Sequence, residues 1–378
     1  MRQTHPTIWR SSKTAQRVLG LTLLAIAFVL FLAKKVAGVH AAQDCGDALQ
    51  VASSPSQAFF AMADPRSSFD GTHLLFAARS QQPSNWQIYE SDADGSNARP
   101  ITHCAGDCTQ AEYLPGGRIV YTERGAGSML GSSTVMVARL DGSDAHAITF
   151  GPGDFQVVRV LHNGRILLEA NAPLAKADIR HPQRALYQMR PDGSGLYRLP
   201  QAVAQQMQRE QSPASVPLSG IFPQRYAQRP VPLLYPSILH LESKTGRMLC
   251  LNAYQTLDAP GGKFTAVIAQ VRVLMLGKDG HERVLGNAPV ETDGSFYLTV
   301  PADTPVRFAL LAKKGAVIHE QKSWIWARPG EDRGCAGCHE NPALAPENHW
   351  PLALKRFDTP TPLGTEAGMV TAHKDGRP

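Results

Sequence analysis

The chain has 378 residues, of which 43% are hydrophobic and 19% charged. It is therefore long enough for two folded domains, and its composition excludes a disordered or collagen-like chain. The formal charge of +6 comes from 38 basic and 32 acidic residues, but six basic and no acidic residues lie within positions 1–35. The charge of residues 36–378 is thus 6 minus 6, or zero. These residues lack the excess of positive charge that is typical of nucleic-acid binding.

The N-terminal region, residues 1–43, is predicted to be a cytoplasmic tip followed by a transmembrane anchor or a signal peptide. Residues 18–33 form an apolar run with four basic residues before it, which keep the N-terminus cytoplasmic. Lys34 and Lys35 follow the run directly and favour an anchor over a signal peptide cleaved after Ala41. We expect an inner-membrane, single-pass protein with its bulk in the periplasm; the alternative is a periplasmic protein released by cleavage.

Residues 44–200 contain a repeat. Three Asp-Gly-Ser turns, 47 and 51 residues apart, each follow strand-like residues at the same offsets: Asp94 to Ser96, Asp141 to Ser143 and Asp192 to Ser194. A second turn and an apolar strand repeat with them, which is typical of propeller blades and resembles the TolB-like propeller repeat. Three blades are legible, whereas closed propellers need at least four. Residues 45–63 or 236–256 could supply a degenerate fourth blade, or the next domain could cover a partial propeller.

The remaining chain divides into three parts. Residues 201–235 are rich in Gln and Pro and are predicted to be a linker or a strap across the surface. Residues 236–360 alternate apolar and polar positions in short segments and are predicted to form a β-sandwich. Residues 361–378 are predicted to be a flexible tail. Helix is scarce outside the anchor, so the predicted fold class is all-β.

Cysteines carry the chemistry of the chain. Cys104 and Cys108 are close enough in sequence for a small-loop disulfide in an oxidising compartment. Cys335, Cys338 and His339 form a Cys-x-x-Cys-His motif. Two thiols at this spacing can attach covalently to the vinyl groups of one haem c, and the adjacent histidine can ligate its iron axially.

Three other interpretations of this motif remain open. Zinc could use Cys335, Cys338 and His339 with His349 as a fourth ligand, although the spacing is not that of common zinc ribbons. A thioredoxin-like dithiol would need a strand and helix that the flanks do not predict, and a disulfide within the motif would be strained. His349 could instead be a second ligand of the haem iron; without one, the iron would be five-coordinate.

The flanks of the motif offer further candidates. Trp324 and Trp326 lie two residues apart in a predicted strand and could either wall a haem pocket or belong to the sandwich core. Arg328, Arg333 and Arg356 could pair with haem propionates or simply be solvated.

The sequences SWIWARPGE at 323–331 and CAGCHE at 335–340 resemble the hydrazine synthase alpha subunit middle-domain family, over about residues 246–354. The resemblance implies a haem-binding middle domain behind an N-terminal propeller. That family also has a C-terminal domain with a second haem, but here one motif is present and 39 residues follow His339, so we expect no hydrazine synthesis.

The expected function is that of a membrane-anchored, periplasmic c-type haem protein in electron transfer or a haem-based redox step. A redox or protein partner would dock on the propeller, and the membrane would be contacted through the N-terminal segment. The alternative is a non-catalytic interaction or assembly protein in which a structural haem or zinc ion staples the C-terminal loop. Whether the chain is a haem-dependent oxidoreductase stays open.

Overall fold

Strands dominate the computed structural model, which describes residues 59–82, 84–125, 132–171, 184–209, 225–256, 259–337 and 349–364. Within these residues it has twenty strands and one α-helix, α1 (Gln201–Arg209), so the all-β prediction is confirmed there. No helix in the described part of the chain is long and apolar enough to cross a membrane. The apolar run at 18–33 lies outside the described residues.

The repeats fold into three four-stranded antiparallel sheets, which we call blades 1, 2 and 3. The strands of each blade follow one another in chain order. Blade 1 consists of β1 (Ala61–Ser67), β2 (His73–Arg79), β3 (Gln87–Asp92) and β4 (Arg99–Pro100). Blade 2 consists of β5 (Asp107–Leu114), β6 (Arg118–Arg124), β7 (Ser133–Arg139) and β8 (His146–Ala147). Blade 3 consists of β9 (Asp154–Val160), β10 (Ile166–Asn171), β11 (Arg184–Met189) and β12 (Tyr197–Arg198).

The Asp-Gly-Ser turns join the third and fourth strands of the blades for a local reason. In each turn the aspartate Oδ1 accepts a hydrogen bond from the serine backbone N–H at 2.9 Å. The glycine between them has a φ of 84°, 82° or 85°, a left-handed conformation that favours glycine. These three residues therefore specify the turn without help from the rest of the fold.

The two terminal blades are covered by the chain itself. On blade 1, Leu75 faces blade 2, whereas Leu74 and Phe76 point to the opposite side and are buried with Phe59 and Tyr226. On blade 3, the far side is an apolar cluster that includes residues of α1. Blades that expose one apolar face need such caps, as the ends of repeat proteins do.

The two segments that could have supplied a fourth blade have other places in the described structure. Of the segments considered for a fourth blade, 236–256 contributes a strand to the sandwich instead, and 45–63 contributes the first residues of β1. Residues 45–58 lie outside the described residues.

A segment without regular structure, residues 225–241, runs along the propeller, and we call it the strap. On blade 1, the strap residue Tyr226 donates its backbone N–H to Gly71 O at 2.9 Å. On blade 3, Leu233 donates to His162 O at 3.0 Å. The strap thus ties the first blade to the third. Of the segment 201–235 predicted to be a linker or strap, residues 201–209 form α1.

The sandwich contains two four-stranded sheets. The first has the order β19 (Asp332–Cys335), β13 (Thr245–Cys250), β16 (Phe296–Pro301) and β20 (Thr361–Pro362). The second has the order β15 (Glu282–Pro289), β14 (Gln270–Leu276), β17 (Val306–Leu311) and β18 (Val317–Glu320). One apolar core joins their facing sides, and the alternating residues predicted from sequence are buried in it: Phe296, Leu298 and Val300.

The C-terminal boundary differs from the prediction. Residues 361–378 were expected to form a flexible tail, but Thr361–Pro362 pairs in parallel with β16, and Leu363 packs into the sandwich core. Burial of the apolar Leu363 side chain in this core is favourable, so residues 361–363 belong to the sandwich. Residues 365–378 lie outside the described residues.

Candidate functional site

The first cysteine of the Cys-x-x-Cys-His motif ends an edge strand. Cys335 is the last residue of β19, which pairs in parallel with β13 at the edge of the sheet as described, and its side chain is half-buried. The chain leaves the sheet at this residue. Cys338 and His339 lie outside the described residues.

A second cysteine faces the motif across the sheet. Cys250 is the register partner of Cys335, is buried, and is followed by Leu251, whose N–H donates to Cys335 O at 2.9 Å. The two cysteines are 85 residues apart in sequence, so no spacing rule points to their pairing. Sequence reasoning found no partner for Cys250, and only the strand topology brings it to the site.

The residues after Cys335 pass close to the backbone of the loop that follows β13. A Cβ added to Gly337 would lie 2.6 Å from the backbone oxygen of Gln255, too close for any side chain without movement. Glycine at this position of the motif therefore allows the motif to approach the loop.

His349 lies beside an aspartate at the same end of the sheet. Its Nε2 is 3.5 Å from Asp293 Oδ2, which also accepts the backbone N–H of Leu352 at 2.8 Å. Burial acts to raise the pKa of Asp293, but hydrogen bonds from Leu352, Ser295 and His349 hold it below its usual value. The described contacts thus engage His349 with a carboxylate, and its role as a second iron or zinc ligand stays a prediction.

Trp326 occupies a place that neither sequence interpretation foresaw. Its side chain is 1% exposed and belongs to the apolar core between blades 2 and 3, not to that of the sandwich. It meets Phe150 and Phe155 edge-to-face, with ring centroids 6.0 Å and 5.5 Å apart. A residue from the segment that leads into the sandwich strand β19 thus completes the core between two propeller blades. Trp324 lies outside that core and stacks with Arg307 at 5.6 Å.

Arg328 and Glu331 attach the same segment to the Asp-Gly-Ser turn of blade 3. Arg328 is buried, pairs through Nη1 with Asp303 Oδ1 at 2.7 Å, and donates from Nε to Asp192 O at 3.1 Å. Glu331 is also buried and accepts the backbone N–H groups of Gly195 at 2.8 Å and Arg328 at 2.7 Å. These partners are inside the protein, so Arg328 is neither solvated nor aimed at a propionate.

Arg333 joins blade 3 to the strand that leads into the Cys-x-x-Cys-His motif. It lies in β19, two residues before Cys335, and donates to Trp326 O at 2.8 Å and Leu196 O at 2.7 Å. Arg356, the third arginine considered for propionates, pairs instead with Glu291 and Asp358. We call residues 326–333 the clamp, because they fasten the strand that leads into the motif to blade 3.

Cys104 and Cys108 form a disulfide at the entrance to blade 2. The carboxylate of Glu123 lies within 4.8 Å of both sulfurs, so these three residues form a group of possible metal ligands among the described residues. Both sulfurs are already bonded to each other, so this group offers no preformed zinc site. The predicted zinc alternative involves Cys338 and His339, which are not described.

Comparison with known proteins finds one family. Residues 255–340 match the model of the hydrazine synthase alpha subunit middle domain, which confirms the resemblance drawn from the motif and its flanks. No curated protein matches the chain.

Among solved structures, hydrazine synthase from Kuenenia stuttgartiensis is similar over 79% of this chain and 65% of its own, at 13% identity and a TM-score of 0.47. This chain therefore spans just under two thirds of that protein. A putative TolB from Agrobacterium tumefaciens matches over 35% of this chain and 46% of its own, at 20% identity and a TM-score of 0.29. TolB from Acinetobacter baumannii matches over 73% and 57%, at 12% identity and a TM-score of 0.29.

Proposed function

We propose that this chain is a c-type haem protein that carries one haem on Cys335, Cys338 and His339 and serves electron transfer or a haem-based redox step. The observation that carries the proposal is a complete attachment motif within the segment that matches the hydrazine synthase alpha subunit middle domain. Hydrazine synthesis is not part of the proposal.

The described residues fit covalent attachment of a large planar group. Cys335 ends a strand that lies at the edge of its sheet in the described part of the chain, a position that favours access of a porphyrin from the side away from β13. Its thiol is half-buried rather than enclosed in the core. The bound haem would supply reversible one-electron chemistry at its iron.

The protein's own residues would hold and orient that group. The two thiols would form thioether bonds, and His339 would ligate the iron. The clamp would keep β19 in place through Arg333 and Glu331, whose partners on blade 3 are rigid backbone groups of a turn and strand end. Blade 3 thus supports the haem strand, and the other blades are proposed as the docking face for a redox or protein partner.

The location is part of the same proposal. Attachment of haem c needs an exported chain, and residues 18–33 would anchor it in the inner membrane with residues beyond 44 in the periplasm. Cleavage after Ala41 would instead release a periplasmic protein. Intact mass of the chain recovered from the membrane and periplasmic fractions distinguishes the two.

The test is expression in a bacterium with a cytochrome c maturation system. We expect the purified chain to have the mass of one added haem and to give the alkaline pyridine spectrum of a c-type haem. Cys335→Ser combined with Cys338→Ser should abolish both signals. Cys104→Ser combined with Cys108→Ser removes the same number of thiols elsewhere and should keep them. A wild-type mass equal to that of the bare polypeptide would refute the proposal.

A structural role for the group is the second candidate. The described residues on either side of 338–348 are bonded at the same end of the sheet: Leu251 N–H donates to Cys335 O, and Leu352 N–H donates to Asp293 Oδ2. A haem or zinc ion held by Cys335, Cys338 and His339 would then have a structural role there. A spectrum that changes reversibly with dithionite supports redox function, whereas a redox-inert group whose removal only unfolds the domain supports the structural role.

A further inference from the structure

Charged residues occupy one equivalent position in all three blades. The first strand of each blade has a bulge, and the residue that resumes pairing after it is Arg66 opposite Leu75, Glu112 opposite Val120, or Arg159 opposite Leu167. These three residues are 46 and 47 residues apart, close to the 47- and 51-residue spacing of the Asp-Gly-Ser turns. Equivalent positions on neighbouring first strands bring their side chains together near the centre of the blades.

The strap adds a fourth charge. Arg229 donates its backbone N–H to Phe69 O at 2.9 Å, and its Nη1 reaches to 3.8 Å from Glu112 Oε2. We call Arg66, Glu112, Arg159 and Arg229 the axial cluster. It contains three guanidinium groups and one carboxylate.

Glu112 is the buried centre of the cluster. Its side chain is 3% exposed, and its Oε1 accepts a hydrogen bond from Arg66 Nε at 2.7 Å. Burial raises the pKa of Glu112, while the charges of Arg66, Arg229 and Arg159 act to lower it. Arg66 and Arg229 lie within 4 Å of this carboxylate, and the register of the first strands places Arg159 at the equivalent position of the neighbouring blade.

Two buried polar atoms of the cluster have no hydrogen-bond partner in the described part of the chain. One is an acceptor, Glu112 Oε2, and the other is a donor, Arg159 Nε. Arg229 Nη1 is too far from Glu112 Oε2 to satisfy it. Buried polar atoms without a hydrogen-bond partner are energetically unfavourable. A bound group that donates to Glu112 Oε2 and accepts from Arg159 Nε would satisfy both atoms.

The charges of the axial cluster indicate that a group bound there would be an anion. Asp64 is a second carboxylate close to the cluster within the described residues; its Oδ2 accepts the N–H of Gln110, and the charge of Arg66 acts on it. Even with Asp64 ionised, three positive charges face two negative ones. The side chains of Arg66 and Arg229 are 21% and 25% exposed, so solvent reaches the cluster.

We propose that the axial cluster binds a small oxyanion that carries a hydroxyl group, of the class of hydrogen phosphate or bicarbonate. Its charged oxygens accept hydrogen bonds from Arg159 and Arg229, and its hydroxyl donates to Glu112 Oε2. Sulfate has the same shape as phosphate but no proton to donate, so Glu112 repels it. The bound anion links blade 2, blade 3 and the strap.

The experiment measures binding of inorganic phosphate and of sulfate to the purified full chain by calorimetry, at constant ionic strength. We expect saturable phosphate binding that is about tenfold or more tighter than sulfate binding, because one charge-assisted hydrogen bond distinguishes them. Arg159→Met should weaken phosphate binding by about tenfold or more. Arg139→Met removes the same charge from an exposed site on blade 2 and should bind as the wild type does.

Two further variants keep the test decisive. Should Arg159→Met not fold, Arg159→Lys retains the charge but lacks the Nε donor, and phosphate binding should still weaken. Glu112→Gln can donate a hydrogen bond to an anion, so the preference for phosphate over sulfate should disappear. No saturable phosphate binding, equal affinity for the two anions, or unchanged binding in the folded Arg159 variant would each overturn the proposal and leave a cluster that only ties the strap to the blades.

Discussion

The indole of Trp326 gives a direct test of how the propeller and the sandwich are joined. Its side chain is 1% exposed and fills the core between blades 2 and 3, although its backbone belongs to the segment that leads into β19. Trp326→Ala would therefore leave a cavity in a domain other than the one that contributes the residue. The two domains should be destabilised together.

The magnitude follows from two opposing effects. Truncation of a buried tryptophan to alanine costs about 3–5 kcal/mol, since the surrounding rings cannot collapse fully into the cavity. The indole Nε1 is buried without a hydrogen-bond partner among the described residues, and its removal returns about 1 kcal/mol or more. The expected net loss in the free energy of unfolding is about 2–4 kcal/mol. Trp326→Phe keeps a ring and removes the unpaired N–H, so it should lower the free energy of unfolding by about 1 kcal/mol.

Urea unfolding followed by far-ultraviolet circular dichroism measures these values on the full chain. Trp350→Ala is the matched control, because the Trp350 side chain is 66% exposed and its loss should change stability by less than about 0.5 kcal/mol. If Trp326→Ala costs no more than Trp350→Ala, the indole does not fill the core between blades 2 and 3. The clamp would then not couple the domains.

Three further predictions concern other parts of the chain. Asp70, whose pKa is lowered to about 2 mainly by the hydroxyl of Ser68, stabilises the first turn of blade 1 only while ionised. Asp70→Asn should thus lower the melting temperature above about pH 4, with the difference closing as the pH falls towards 2; a gap that does not change with pH contradicts this. Cys104→Ser combined with Cys108→Ser opens a short loop and should cost about 2 kcal/mol in urea unfolding, unless the wild type is measured under reducing conditions, where the difference should vanish. Gly337→Ala forces a Cβ against a backbone oxygen at 2.6 Å and should cost about 1–3 kcal/mol and reduce the haem content measured by absorbance; a variant with wild-type stability and haem would show that the motif does not approach that loop.

The blades could be predicted from sequence because their signals are local. The Asp-Gly-Ser turns need only an aspartate that accepts the serine N–H and a glycine with positive φ, all within three residues. The strands beside them alternate on a pleated sheet, and the same period repeats along the chain. The alternation of Phe296, Leu298 and Val300 predicted a sandwich face for the same reason.

The position of the motif segment could not be predicted in this way. The spacing of Trp324 and Trp326 placed both on one face of a strand, but it carried no information on which apolar gap each ring would fill. Arg328 and Arg333 gave no sign that their partners would be the backbone oxygens of Asp192 and Leu196, more than 130 residues earlier.

The amino-acid sequence alone determined the fold class, the repeat, the turns and the residue types of the Cys-x-x-Cys-His motif, since each depends on residues a few positions apart. Only the tertiary structure decided that α1 and Tyr226 cover the ends of the propeller, that Cys250 faces Cys335, and that Arg66 and Arg229 meet at Glu112. These contacts join residues that are distant in sequence. They arise because apolar faces and buried charges must each find a partner somewhere in the packed chain, and a local pattern does not specify which one.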